Sequence, residues 1–287
     1  MARVTIIGLG RIGTSLGLAL KASQPKLEVV GHDLRSDSMA AARKLGAVDK
    51  TEWNLPAALE GAGLVVVSIP LGGVAKLFGE MARFLSENCV VTDTLSLKGP
   101  VLSAAAENLP STVSFVGGHP VAHPEMDPNL PDAQLFAGQA YAIVASPTAR
   151  EAAIAQVIRL AELVGAKPFI VDETEHDAYA ASFEQIPALL AAALTSLAAG
   201  QPGWRDAQRL ASARFAALTA PAADAPVEQQ ARLLGNRELL LARVEALQAE
   251  LADLAALLRE GSADELLKRL TSANQQRAAW HPGAPPP

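Results

Sequence analysis

The apolar residues of this chain fall into two patterns. Up to residue 172, short continuous apolar runs alternate with stretches of helical period. "RVTIIG" (3–8), "LEVVGHD" (27–33), "GLVVVSIP" (63–70), "CVVTD" (89–93), "VSFVGG" (113–118), "AYAIVA" (140–145) and "KPFIVD" (167–172) predict strands. Residues 11–22, 37–46, 72–86, 98–108 and 147–165 predict helices between them. Strands that are apolar throughout, rather than at every second position, indicate a parallel sheet covered on both faces. Right-handed crossovers make a doubly wound α/β domain the economical topology.

From Glu173 onward valine-rich runs give way to long Ala/Leu-rich stretches. A helix is expected to start there, with Asp172 or Thr174 as its cap. A second spans Asp206 to about Leu218, and "TAPAADAP" breaks it. A long helix follows from about Val227 to Glu260. In it Leu240, Val244, Leu247, Leu251, Leu254 and Leu258 recur at heptad spacing. That seam serves either the domain's own core or a homodimer interface. The expected organisation is a doubly wound α/β domain over 1–172, an all-helical domain over 173–280, and a disordered tail, "HPGAPPP", over 281–287.

A length of 287 residues suits two domains. The net charge of −6 argues against a nucleic-acid partner. No uninterrupted apolar run reaches the 18 or more residues of a spanning helix, so no membrane partner is expected. The "MARVTIIGLGRIG" start is broken by glycines and Arg11, and no cleavage site follows. The one cysteine, Cys89, reads as a buried strand thiol and points to the cytoplasm.

Chemistry enters with "GLGRIG", Gly8-Leu9-Gly10-Arg11-Ile12-Gly13, which follows a predicted strand and opens a predicted helix. Gly8 permits the turn, Gly10 lets backbone approach a pyrophosphate, and Gly13 lets helix and strand pack closely. The helix N-terminus offers N–H groups to phosphates. Asp33, 20 residues past Gly13, stands where a ribose-binding carboxylate belongs. Its charge favours NAD over NADP, whereas Arg35 would stack on adenine or attract a 2′-phosphate. Ser68 and Pro70 close the third long strand and are expected on the nicotinamide side.

Three further stretches are "DTLSLKG" (93–99), "GGHPVA" (117–122) and "GWRDAQRLA" (203–211). In this order, they resemble the D-x-x-S-x-K, G-x-H-P-M-A-G and G-F-x-D-x-T-R-I-A segments of the prephenate/arogenate dehydrogenase family. "ETEHDAYAA" (173–181) resembles that family's helix opening after the domain junction. The resemblance implies NAD-dependent oxidative decarboxylation of a small-molecule substrate, prephenate. It makes His119 the catalytic base and Ser96 the hydroxyl that orients it. Arg209 becomes the carboxylate clamp, and Lys98 either a substrate contact or a structural ion pair. His176 reads as a helix-start residue at the domain junction. His119 and His123 do not form a metal pair, because Pro120 and Pro124 oppose the helix that His-x-x-x-His needs.

The substrate half departs from the family. Its helical domain carries S-H-L-P-H; aligning on Pro187 puts Glu184, Gln185 and Ala188 in the polar places. Gln185 keeps hydrogen bonding toward substrate without charge. His123 replaces a glycine and Gln208 a threonine. Three readings follow: a prephenate dehydrogenase with an altered pocket, a dehydrogenase for arogenate (whose amine Glu184 would welcome) or a related substrate, and a nucleotide-binding protein with lost or altered catalysis.

Overall fold

The computed structural model describes residues 3–123, 127 and 129–280; the expected tail lies outside them, as does Pro124. Contacts divide the chain into two compact units, Met1–Asp177 and Ala178–Pro287.

The first unit is a Rossmann-like α/β domain. Its strands are β1 (Arg3–Ile7), β2 (Glu28–His32), β3 (Lys50–Thr51), β4 (Leu64–Val67), β5 (Val90–Asp93), β6 (Ser114–Pro120), β7 (Ala140–Ala145) and β8 (Lys167–Ile170). They form one sheet in the order β3-β2-β1-β4-β5-β6-β7-β8. Helices α1 (Arg11–Ser23), α2 (Ser36–Lys44), α3 (Leu55–Leu59), α4 (Val74–Met81), α5 (Gly99–Asn108) and α6 (Glu151–Leu163) connect them. Two apolar clusters fill the domain, one around Ile6, Leu16, Val66 and Ile143, the other around Val65, Phe78, Val91 and Phe115. The order reverses between β1 and β4, which opens a crevice at their carboxyl ends.

The sheet is mixed rather than parallel throughout: β6 and β7 run antiparallel. The described residues between β6 and β7 form no helix to carry the chain back across the sheet, and Pro120 at the end of β6 pairs with Tyr141 at the start of β7. This connection therefore lies at the crevice end and is tied to α1. Arg11 Nε donates to the Leu130 carbonyl (3.1 Å), and the Asp132 amide donates to Ser15 Oγ (3.0 Å). β3, two residues long, and α3, five, are too short to leave a periodic trace.

The helix from Glu173 starts as expected, with Asp172 Oδ1 accepting the Glu175 amide (2.9 Å). It runs as α7 (Glu173–Ala180), a π turn (Ala181–Gln185) and α8 (Ile186–Ala199). The wider turn ends just before Pro187, which has no N–H to give to a regular helical bond. Residues 173–199 meet the length and mean hydropathy (1.2) of a membrane span, although they hold no uninterrupted apolar run of 18 residues. Alanine supplies much of that hydropathy, and one such helix is weak evidence for a membrane.

The expected helix over 206–218 is split into α9 (Trp204–Ala207), a 3-10 turn at 208–210 and α10 (Ala213–Thr219). The expected helix over 227–260 is also two, α11 (Pro226–Gly235) and α12 (Arg237–Glu260), broken at Gly235-Asn236 where helical propensity fails. Gly261, at φ +66°, caps α12 and reverses the chain into α13 (Ala263–Ala279). Along the seam Leu240 is buried at 6% exposure, whereas Leu251 and Leu258 are 52% and 68% exposed.

Candidate active site

The glycine loop fits a dinucleotide. Gly8 has φ +94°, and a Cβ there would lie 2.1 Å from the Ser68 carbonyl oxygen. A Cβ on Gly13 would lie 1.9 Å from the Gly8 oxygen, so the turn and the helix start admit no side chain. A Cβ on Gly10 would meet nothing within 4 Å, so the loop faces open space there. The first turn of α1 carries no acidic residue and no side-chain cap, leaving its N–H groups for an anion. Ile12 packs its side chain on the core and presents only backbone to the loop.

Asp33 binds this loop to the end of β2. Oδ2 accepts the Leu9 amide (2.7 Å), and Oδ1 accepts the Arg35 amide (2.8 Å). The Arg35 guanidinium is held by Asp37, with Nε–Oδ1 3.1 Å and Nη2–Oδ2 2.5 Å. That pairing raises the Arg35 pKa and lowers the Asp37 pKa. With Arg35 neutralised by its neighbour and Asp33 facing the loop, the geometry suits a ribose hydroxyl better than a 2′-phosphate. Across the crevice Ser68 Oγ accepts from Thr94 Oγ1 (3.0 Å), and Pro70 is exposed beside it.

His119 is half-buried near the end of β6. It is reached through a buried charge pair. Lys98 and Asp93 are both fully buried, and Lys98 Nζ donates to Asp93 Oδ2 and to the Gly118 carbonyl (2.6 Å). Asp93 Oδ1 accepts the Gly118 amide (3.0 Å), and Oδ2 accepts the Leu95 amide (2.9 Å). The glycines before His119 make room for this. A Cβ on Gly117 would stand 2.9 Å from Lys98 Cδ, and one on Gly118 2.7 Å from the Asp93 backbone carbonyl oxygen. The buried Tyr141 hydroxyl lies next to Gly118; burial and the nearby Asp93 push its pKa far up and keep it a neutral phenol. Lys98 thus takes part in the ion pair that was one of its two expected roles. Its ammonium is spent beneath the strand ends, and the ion-pair alternative is the one observed.

Within this unit His119 meets His176. His119 Nδ1 lies 3.1 Å from His176 Nε2, with the rings edge to face. His176 Nδ1 lies 2.8 Å from Asp177 Oδ1. Asp177 caps α5 from outside: Oδ1 accepts the Lys98 amide (2.8 Å) and Oδ2 the Gly99 amide (2.9 Å). Burial pushes the Asp177 pKa up, but the bonds from His176 and these two amides hold it below the usual carboxylate value. Burial lowers the His176 pKa, keeping the ring neutral. Ser96 is half-buried in the loop after β5, and His119 Nδ1 turns to His176 instead of to it. The acidic-His-Asp helix start was the available sequence signal, but 57 residues separate His119 from His176.

In the helical unit Arg209 is exposed in the 208–210 turn and makes no ion pair among the described residues. Gln185 is buried, and it does not reach toward a ligand. Its Nε2 donates to the Arg232 carbonyl and its Oε1 accepts from Asn236 Nδ2, both at 2.9 Å. The amide thus fastens the π turn to the α11–α12 break, where a substrate contact was expected. Cys89 is buried, which pushes its thiol up to about 11.

Comparison with known proteins places this geometry. The family model "prephenate dehydrogenase, nucleotide-binding domain" matches residues 16–170, starting just past the glycine loop. The model "prephenate dehydrogenase, dimerization domain" matches residues 172–272. The chain is 28% identical to a prephenate dehydrogenase of Lactococcus lactis, over 100% of this chain and 80% of that protein. It is 27% identical to a cyclohexadienyl dehydrogenase of Zymomonas mobilis, over 96% of this chain and 95% of that protein. Its fold matches the crystal structure of prephenate dehydrogenase from Aquifex aeolicus in complex with hydroxyphenyl propionate and NAD+, at TM-score 0.89 and 24% identity, covering 97% and 98% of the two chains. The chain belongs to the prephenate dehydrogenase family.

Proposed function

We propose that this protein is an NAD-dependent prephenate dehydrogenase, converting prephenate to 4-hydroxyphenylpyruvate and CO2. The observation that carries this reading is His119, held at the crevice end of β6 by His176. In the proposed reaction a domain over 1–172 holds the cofactor and a helical domain over 173–280 supplies substrate contacts. Gly8, Gly10, Gly13 and the amides of Arg11 and Ile12 hold the pyrophosphate, Asp33 the ribose, and Ser68 and Pro70 border the nicotinamide. NAD, when bound, supplies the hydride acceptor.

His119 accepts the proton of the ring hydroxyl as hydride leaves that carbon, a task suited to imidazole near neutral pH. Ser96, in the loop after β5, is by the resemblance the hydroxyl that orients His119. Arg209 grips a substrate carboxylate, which suits a guanidinium fork. Loss of CO2 then leaves an aromatic ring.

A homodimer through the helical domain fits the exposed Leu251 and Leu258 on α12 and the dimerization-domain match. The cytoplasm is the proposed compartment. Arogenate is the second reading, supported by the cyclohexadienyl dehydrogenase relative and by Glu184 in the π turn, whose charge suits an amine. A steady-state comparison of prephenate and arogenate, each with NAD and NADP, tests both. Turnover with prephenate and NAD should be highest; a higher kcat/KM for arogenate selects the second reading.

A further inference from the structure

Each bond in the chain from α5 to His119 has only one possible direction, given an ionised Asp177. A carboxylate only accepts, so His176 Nδ1 must carry the proton across the 2.8 Å contact with Asp177. A neutral His176 then has no proton on Nε2, which must accept. Across 3.1 Å, His119 Nδ1 must therefore be the donor. A neutral His119 with its proton on Nδ1 presents an unprotonated Nε2.

We infer that His176 is a positioning residue that fixes the tautomer of His119, holding its proton on Nδ1 and its basic lone pair on Nε2. Asp177, anchored by the Lys98 and Gly99 amides, sets the direction of the chain. The consequence is chemical. In water a neutral histidine side chain prefers its proton on Nε2, which would leave the base pointing at His176. The Asp177–His176 pair reverses that preference, as second-sphere carboxylates do for imidazoles in other sites. The kinetic part of this inference rests on His119 being the base; the tautomer part does not.

Two substitutions separate the two nitrogens of His176. In His176→Asn the side-chain amide replaces Nδ1 and still donates to Asp177, but nothing reaches His119. In His176→Gln the amide oxygen replaces Nε2 and still accepts from His119. Histidine-labelled 15N NMR of the full chain, with the His119 signal assigned through His119→Asn, reads the tautomer directly. The wild type and His176→Gln should show His119 protonated on Nδ1, and His176→Asn should shift it to Nε2. With prephenate and NAD, kcat should fall about 10²-fold in His176→Asn and only several-fold in His176→Gln, with NAD affinity unchanged in both. His119 protonated on Nε2 in the wild type would overturn the inference even if neither variant folds. So would equal losses of kcat in both variants with the tautomer unmoved. An active His119→Asn would overturn the base assignment alone, leaving the NMR result to decide the tautomer.

Discussion

Lys98 Nζ lies 2.6 Å from the Gly118 carbonyl oxygen, one residue before His119. The same ammonium pairs with Asp93, and both side chains are fully buried. This arrangement joins the ends of β5 and β6 and sets the strand that carries His119. Removing one partner of a buried pair strands the other charge. Lys98→Met should cost about 3–5 kcal/mol of stability. Calorimetry should show a large fall in Tm. An unchanged Tm with a raised KM for prephenate would return Lys98 to the substrate.

Acid should weaken the fold through His176 before it does so through Asp177. Burial lowers the folded-state pKa of His176, and hydrogen bonds lower that of Asp177. A lowered folded value means that the unfolded chain takes up the proton first, so the stabilisation is present above the unfolded pKa and lost as pH falls through the folded one. For His176 the loss begins near pH 6.5, and for Asp177 near pH 4. Tm should decline from pH 7.5 to pH 5.5, and His176→Gln should flatten that slope. Equal slopes in the two proteins would show that another group controls it.

Asp33→Ala removes the acceptor of the Leu9 and Arg35 amides as well as the proposed ribose contact. Losing charge-assisted hydrogen bonds of about 1.5–3 kcal/mol should weaken NAD binding by roughly tenfold or more. NADP should lose less, since the lost carboxylate would have repelled its 2′-phosphate. Titration calorimetry with both nucleotides checks this. Equal losses for the two would remove Asp33 from cofactor selection.

The strand–helix alternation and the glycine loop were readable because both are local: apolar runs, a fixed glycine spacing and Asp33 at the next strand end. Strand direction is not local. "AYAIVA" looks the same whether β7 runs parallel or antiparallel, and only its pairing with β6, Pro120 opposite Tyr141, decides. Lys98 and His176 show the same limit in the site. A lysine in a crevice-side segment reads equally as a substrate contact or a structural ion pair until Gly117 is seen to leave room for its side chain. His176 reads as a helix-start residue because its partner, His119, is far along the chain. Gln185 stands in a family ligand position, yet its amide is consumed by Arg232 and Asn236, which no spacing rule links to it.

The central claim is NAD-dependent oxidation of prephenate with His119 as base. Parallel progress curves with prephenate and NAD, for wild type and His119→Asn, test it most directly. The wild type should form reduced nicotinamide, 4-hydroxyphenylpyruvate and CO2 in equal amounts. His119→Asn should lose about 10²–10⁴-fold in kcat while binding NAD as before. A wild-type protein that binds NAD but turns over neither prephenate nor arogenate would contradict the account.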